Sequence, residues 1–263
     1  MQIHIKRALE EASRRVRGEI IFASLFGSYR RGDYDAYSDI DILLIHEDLE
    51  KQSLLDHLKS LERLLGRRIH LNLFGLQDFE ERIEHQDYLM ASLIDDSSLI
   101  LGSKATFEEA RRSILERCPS EASVTFNWKT GLKILRHLCL HLDDMCRFSV
   151  EGGFINSIIN GLNDYRLALG YLLASRLMQN CGRGIAYRHL MRMNVNPILR
   201  EISATERALK REIPPSLESL NKLIGGIKDE AQRILEFNRH LSENLVLPTS
   251  LHYTKNLGVM KFV

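Results

Sequence analysis

The chain has 263 residues, 44% of them hydrophobic and 27% charged, with only 5 prolines. That length holds one large domain or two ordinary ones, and the composition excludes a disordered or collagen-like chain. Basic residues exceed acidic ones by a single charge, but the near-neutral total hides a split: residues 1–102 carry 13 basic and 19 acidic side chains (net −6), and the remainder 23 and 16 (net +7).

The first residues, MQIHIKRALEEASRRVRGE, contain no apolar core of a secretory signal. No apolar stretch approaches the ~20 residues that span a bilayer. The four cysteines, Cys118, Cys139, Cys146 and Cys181, form no Cys-x-x-Cys pair. These features predict a cytoplasmic protein with reduced thiols and no membrane association.

In chain order, residues 2–17 have helical composition and stop near Gly18. Ile20–Phe26 is a continuous apolar run of strand length, as expected for a strand covered on both faces. Gly27 ends it, and a polar loop, Tyr29–Ser38, follows. Asp39–Ile45 reads as a second strand and Leu49–Leu65 as an amphipathic helix stopped by Gly66. Arg68–Phe74 reads as a third strand, Leu76–His85 and Tyr88–Ile94 as short helices, and Leu99–Leu101 as a short strand.

Beyond Ser103 strand patterns vanish. Helical periodicity covers about 105–117, 126–148, 154–180, 183–193, 195–212 and 215–246, with Pro214-Pro215 separating the last two. The change in pattern coincides with the change in charge. The chain is therefore expected to be α+β, with a small mixed-sheet domain at 1–103 and an all-helical bundle at 104–263.

The chemistry concentrates in Leu25-Phe-Gly-Ser-Tyr-Arg-Arg-Gly-Asp-Tyr-Asp-Ala-Tyr-Ser-Asp-Ile-Asp-Ile-Leu-Leu44. A buried strand delivers Gly27-Ser28 to the start of a short helix, where free backbone N–H groups and a serine hydroxyl suit an anion. Arg30 and Arg31 add fixed positive charge for phosphate oxygens. Asp39 and Asp41 lie two apart, so strand alternation puts both carboxylates on one face and Ile40 and Ile42 on the other. Two carboxylates beside a phosphate cradle are the donor set for magnesium bridging a nucleoside triphosphate.

This segment resembles the DNA polymerase beta-like nucleotidyltransferase superfamily, most of all its prokaryotic minimal nucleotidyltransferases. Gly27, Ser28, Arg31, Gly32, Ser38, Asp39 and Asp41 fall on that pattern, and the resemblance spans roughly residues 18–102. It implies transfer of a nucleoside monophosphate from a triphosphate (ATP first) to an acceptor, a reaction of the EC 2.7.7 type using Mg2+ or Mn2+. Asp39 and Asp41 are the implied metal ligands and catalytic carboxylates. Gly27, Ser28, Arg30, Arg31 and Ser38 are the nucleotide-binding candidates.

The family also implies a third carboxylate on the next strand. Here that strand reads Ile69-His-Leu-Asn-Leu-Phe74. Ile69, Leu71 and Leu73 share one face; His70 and Asn72 share the other and are expected to point at the site. Neither is acidic. Three readings stand: His70 is a neutral general base, the acceptor is deprotonated without a protein base, or the domain binds nucleotide without turning it over. The last makes the chain a catalytically weak regulatory protein, such as a toxin–antitoxin component.

The basic half suits an acidic partner, either RNA or the acidic N-terminal domain, although solvated helix faces are commonly basic and aromatic residues interleaved for nucleic-acid binding are sparse. His137-x-x-x-His141, near Cys139, Asp144 and Cys146, has zinc-ligand spacing on a helix, although such pairs are mostly surface residues. The stretch from Asn160 to Ser175, with Arg183 and His189 beyond it, resembles HEPN (higher eukaryotes and prokaryotes nucleotide-binding) helical domains. The helical C-terminal domain of aminoglycoside adenylyltransferases is the alternative. The acceptor (protein, RNA or small molecule) is open, and homo-oligomerisation is compatible with the sequence.

Overall fold

The computed structural model describes residues 2–15, 17–147, 154–180, 202, 205, 208 and 217–238. The described residues divide into two units, one ending at Arg117 and the other beginning at Cys118.

The first unit runs α1 (Gln2–Arg15), β1 (Glu19–Phe26), α2 (Gly27–Arg31), β2 (Ile40–Glu47), α3 (Lys51–Leu65), β3 (Ile69–Gly75), α4 (Leu76–Glu84), α5 (Tyr88–Asp95), β4 (Ser98–Gly102) and α6 (Lys104–Leu115). Its sheet has the order β3-β2-β1-β4. β1 is antiparallel to both β2 and β4, while β2 and β3 are parallel and joined by α3. The sheet is therefore mixed, as the sequence patterns predict.

Strand alternation sorts the two faces. Ala23, Leu25, Ile40, Ile42, Leu44, Ile69, Leu71 and Leu73 form one buried cluster with Ile5 and Leu9 of α1 and Leu54 and Leu58 of α3. On the other face, the Phe22 ring meets Phe79 of α4 and Phe107 of α6, each edge-on at 5.4 Å between centroids. With both faces covered, the strands read as the unbroken apolar runs seen in the sequence.

The division at Arg117 differs from the expected boundary after Ser103. α6 has the helical pattern assigned to the second half, yet its Phe107 completes the core of the sheet. Gln86, buried beside α5, ties down the end of this unit by donating to the carbonyls of Ile114, at 3.3 Å, and Arg117, at 2.7 Å.

The second unit contains α7 (Glu121–Arg147), α8 (Phe154–Asn180) and α9 (Leu217–Phe237). α7 begins about five residues earlier than the apolar periodicity suggests, because the Ser120 hydroxyl accepts from the Ser123 N–H at 3.1 Å and opens the helix. Leu132, Leu135 and Leu138 of α7, Leu162, Tyr165, Ala168 and Tyr171 of α8, and Ile224 and Ile227 of α9 are buried. Gly131 lets α7 and α8 close up: a Cβ there would stand 2.8 Å from the Leu172 side chain. Burial, and then Glu230, pushes the Tyr165 phenol far above its usual range, so it stays neutral.

No helix among the described residues is long and apolar enough to cross a membrane. The expected helices 183–193 and most of 195–212, and the Arg183–His189 pair, lie outside the described residues. So do the side chains of His141, Asp144 and Cys146.

Candidate functional site

Four strand termini meet at one end of the sheet. β1 ends there at Phe26; β2, β3 and β4 begin there at Ile40, Ile69 and Ser98. Register makes this convergence close. Asp41 is the ladder partner of Phe26 on one side and of His70 on the other.

Gly27 follows Phe26 directly and adopts φ +71°, a left-handed backbone that glycine takes without strain. The close approach at this point also requires glycine: a Cβ would lie 2.3 Å from Oδ2 of Asp41. The chain then turns through α2, which ends at Gly32 with φ +80°. The Gly32 and Asp33 N–H groups both donate to the Ser28 carbonyl, at 2.8 and 3.1 Å. This short turn places Ser28, Arg30 and Arg31 beside the strand end. Tyr29 points inward, buried in the main cluster, and its ring stacks on Tyr34 at 4.3 Å.

The loop back to β2 is locally tied. The Ser38 hydroxyl donates to the Asp35 carboxylate at 3.0 Å and accepts from the Asp35 N–H at 2.9 Å. Arg67 donates to the backbone carbonyls of Asp35 and Ala36. Ser38, a nucleotide-binding candidate on sequence, is thus engaged in shaping the loop that presents Asp39. Asp39 immediately precedes β2, Asp41 is its second residue, and both are partly buried.

On β3 the two candidates separate. His70 Nδ1 lies 3.1 Å from Asp41 Oδ1, and its side chain is 38% exposed. Asn72 is 3% exposed, opposite Leu43 in the ladder, and its amide nitrogen has no hydrogen-bond partner among the described residues. Position 70, not 72, is the one that shares the carboxylate centre. Two residues along a strand is about 7 Å, enough to move Asn72 from the rim to the buried middle of the sheet.

One residue of the site escapes the sequence reading. Asp96, at the C-terminus of α5, accepts from the Gly27 N–H with Oδ2 at 3.0 Å. Arg31 Nη1 bonds the same oxygen, and Arg30 Nη1 lies 3.5 Å from Oδ1. The Ser97 hydroxyl, bonded to the Leu93 carbonyl at 2.5 Å and to Ser24 at 3.1 Å, holds this connection against β1. The only sequence signal was an acidic pair, Asp95-Asp96, between a helix and a strand. Partial desolvation lowers the Arg31 pKa, but Asp33, 3.2 Å away, and Asp96 outweigh it and hold the guanidinium above its ordinary value.

A divalent cation fits these residues in one way. No cluster of three or more His, Cys, Asp or Glu among the described residues could hold an ion by itself. Two carboxylates can share an ion with substrate phosphates and water, the arrangement magnesium prefers to an all-protein cage. Asp39 and Asp41, two residues apart at the start of β2, are the two carboxylates that such an arrangement would use.

Several solved structures are similar to this chain at low identity. The spectinomycin adenyltransferase AAD(9) from Enterococcus faecialis, determined with ATP and spectinomycin, is 14% identical, with a TM-score of 0.45 over 88% of this chain and 98% of that one. A nucleotidyltransferase-like protein from Exiguobacterium sibiricum is 13% identical, with a TM-score of 0.34 over 91% and 79%. A complex of a tri-AMPylated Shewanella oneidensis HEPN toxin with its MNT antitoxin gives 17% identity and a TM-score of 0.30 over 43% and 83%. No curated protein matches. A family model describing a nucleotidyltransferase domain matches residues 5–100, which hold every residue of the site described above and all of the sheet except the last two residues of β4. That match places this chain's likeness to nucleotidyltransferase domains in its sheet-bearing N-terminal part.

Proposed function

We propose that this chain transfers a nucleoside monophosphate from a nucleoside triphosphate, ATP first, to a hydroxyl-bearing acceptor and releases pyrophosphate. The observation that carries the reading is the meeting of Asp41, His70 and the Gly27–Arg31 turn at one end of the sheet. Arg30, Arg31 and the backbone at Gly27-Ser28 bind the phosphates. Asp39 and Asp41 hold a divalent cation jointly with the triphosphate; when bound, such an ion neutralises phosphate charge and orients the displacement.

His70 receives the proton. With Asp41 ionised, the hydrogen bond places the ring proton on Nδ1, which leaves Nε2 with a free lone pair. Nε2 takes the acceptor's hydroxyl proton as its oxygen bonds to the α-phosphorus. The bond from that phosphorus to the bridging oxygen breaks, and pyrophosphate leaves with the electron pair. The rate gain then comes mainly from positioning and charge neutralisation.

A second reading, a nucleotide-binding regulatory component such as one half of a toxin–antitoxin pair, is favoured by one observation: an imidazole stands beside Asp41 where a carboxylate is expected. Incubation with α-labelled triphosphates and magnesium or manganese separates the two. Pyrophosphate release that is lost in Asp41→Asn supports transfer. Nucleotide binding without release supports the regulatory reading, and absence of both sinks each.

A further inference from the structure

Asp96 occupies the place where a phosphate oxygen is expected. One carboxylate takes the Gly27 N–H and both arginines of the turn: Oδ2 receives Gly27 at 3.0 Å and Arg31, and Oδ1 faces Arg30 at 3.5 Å. These are the donors that the proposed reaction assigns to the triphosphate, and the inference rests on that assignment. A backbone N–H has one hydrogen to give, and a guanidinium edge docks one planar anion at a time. Asp96 and a phosphate group therefore cannot both be fully bonded there.

We propose that Asp96 is an internal competing anion, which holds the phosphate cradle closed until a polyphosphate displaces it. Its pairs are about one-third exposed, so their strength is modest and the exchange is open to a ligand. A triphosphate brings more negative charge and more acceptor oxygens than one carboxylate, so it wins when present. The carboxylate prevents weakly charged anions from taking the same donors, and it keeps Arg30 and Arg31 from repelling one another in the free protein. Displacement also removes the Asp96 tie from the α5–β4 connection to Gly27 while the Ser97 bonds remain, coupling that segment to occupancy of the cradle.

Titration calorimetry of the full chain with tripolyphosphate tests this without nucleoside or transfer. Asp96→Asn keeps the shape and loses the charge. It is expected to bind tripolyphosphate about five- to tenfold more tightly, the difference between a charge-assisted and a neutral hydrogen bond. Asp33→Asn is the control: Asp33 pairs with Arg31 at 3.2 Å and contributes the same charge, but Gly27 donates to Asp96. Its effect is expected to be clearly smaller. Equal gains in the two variants, an unchanged or weaker affinity in Asp96→Asn, or no tripolyphosphate binding by either protein overturns the proposal.

Hydrogen exchange on the wild-type chain covers the case of a variant that does not fold. Tripolyphosphate should slow exchange at 27–33 and speed it at 96–98; slowing or no change at 96–98 overturns the proposal. A protein with the Asp96 effect but no nucleotidyl transfer would refute the proposed reaction and leave the competing anion standing.

Discussion

His70 and Asp41 are ladder partners on parallel strands, and the imidazole Nδ1 lies 3.1 Å from the Asp41 carboxylate. In the proposed reaction, this pairing orients the His70 imidazole to take the acceptor's proton. His70→Ala is expected to lower pyrophosphate release by roughly 10²–10⁴, the usual contribution of a general base, with little change in triphosphate affinity. His70→Asp, which restores an acidic base at the same place, is expected to retain more turnover than His70→Ala. Steady-state release assays on the three proteins decide this, and equal rates in all three exclude the role.

Gly27 has two independent reasons to be glycine. Its φ of +71° disfavours any other residue, and an added Cβ would stand 2.3 Å from Asp41 Oδ2. Gly27→Ala is expected to destabilise the fold by about 1 kcal/mol and to displace Asp41. Misplacing a carboxylate by an ångström costs about 10²-fold in rate. Gly32, also at positive φ but with nothing within 4 Å of where a Cβ would sit, is the matched comparison: Gly32→Ala should show the stability loss with a smaller rate loss. Urea melts and release assays on both variants separate the two effects.

The first unit also contains a buried ion pair. Arg82 Nη1 bonds Asp87 at 2.9 Å, Nε bonds Asp78 at 3.0 Å, and the guanidinium lies 5.1 Å from the Phe74 ring centroid. Asp87 is fully buried and also caps α5, its Oδ1 accepting from the Met90 N–H at 2.8 Å. Arg82→Ala leaves that carboxylate buried without its main counter-ion, and the expected loss is about 3–5 kcal/mol in chemical unfolding. A loss below about 1 kcal/mol would mean that Asp87 is adequately solvated without Arg82.

His46 gives the fold an acid sensitivity. Burial, reinforced by Lys51 and opposed by Asp48, lowers its pKa below the ordinary value of 6.5. Its Nδ1 accepts from the Leu49 N–H at 3.4 Å, which requires the neutral ring. The unfolded chain therefore binds a proton that the folded chain refuses, and stability falls as pH drops from 6.5 towards the lower folded value. Above 6.5 both states are neutral and this contribution to the pH dependence is flat. Denaturation midpoints measured between about pH 7.5 and 5.5 should fall more steeply for the wild type than for His46→Leu. Parallel profiles would assign the acid loss to other groups.

The strands, the Gly27-Ser28 turn and the Asp39–Asp41 pair were legible from residue order alone, because each depends on local spacing: apolar runs of strand length, a glycine at a strand end, and carboxylates two apart. Three features were not. His70 and Asn72 look equivalent along the chain, and only the pairing of β3 with β2 brings one beside Asp41 and buries the other. α6 has an ordinary helical pattern, and its membership of the first unit follows from the contact of Phe107 with Phe22, 85 positions earlier in the chain. Asp96 reaches Gly27 from 69 residues away, through the packing of α5 and β4 against β1. Local chemistry is written in neighbouring residues, whereas a hydrogen bond across that separation exists only once the strands have chosen their partners.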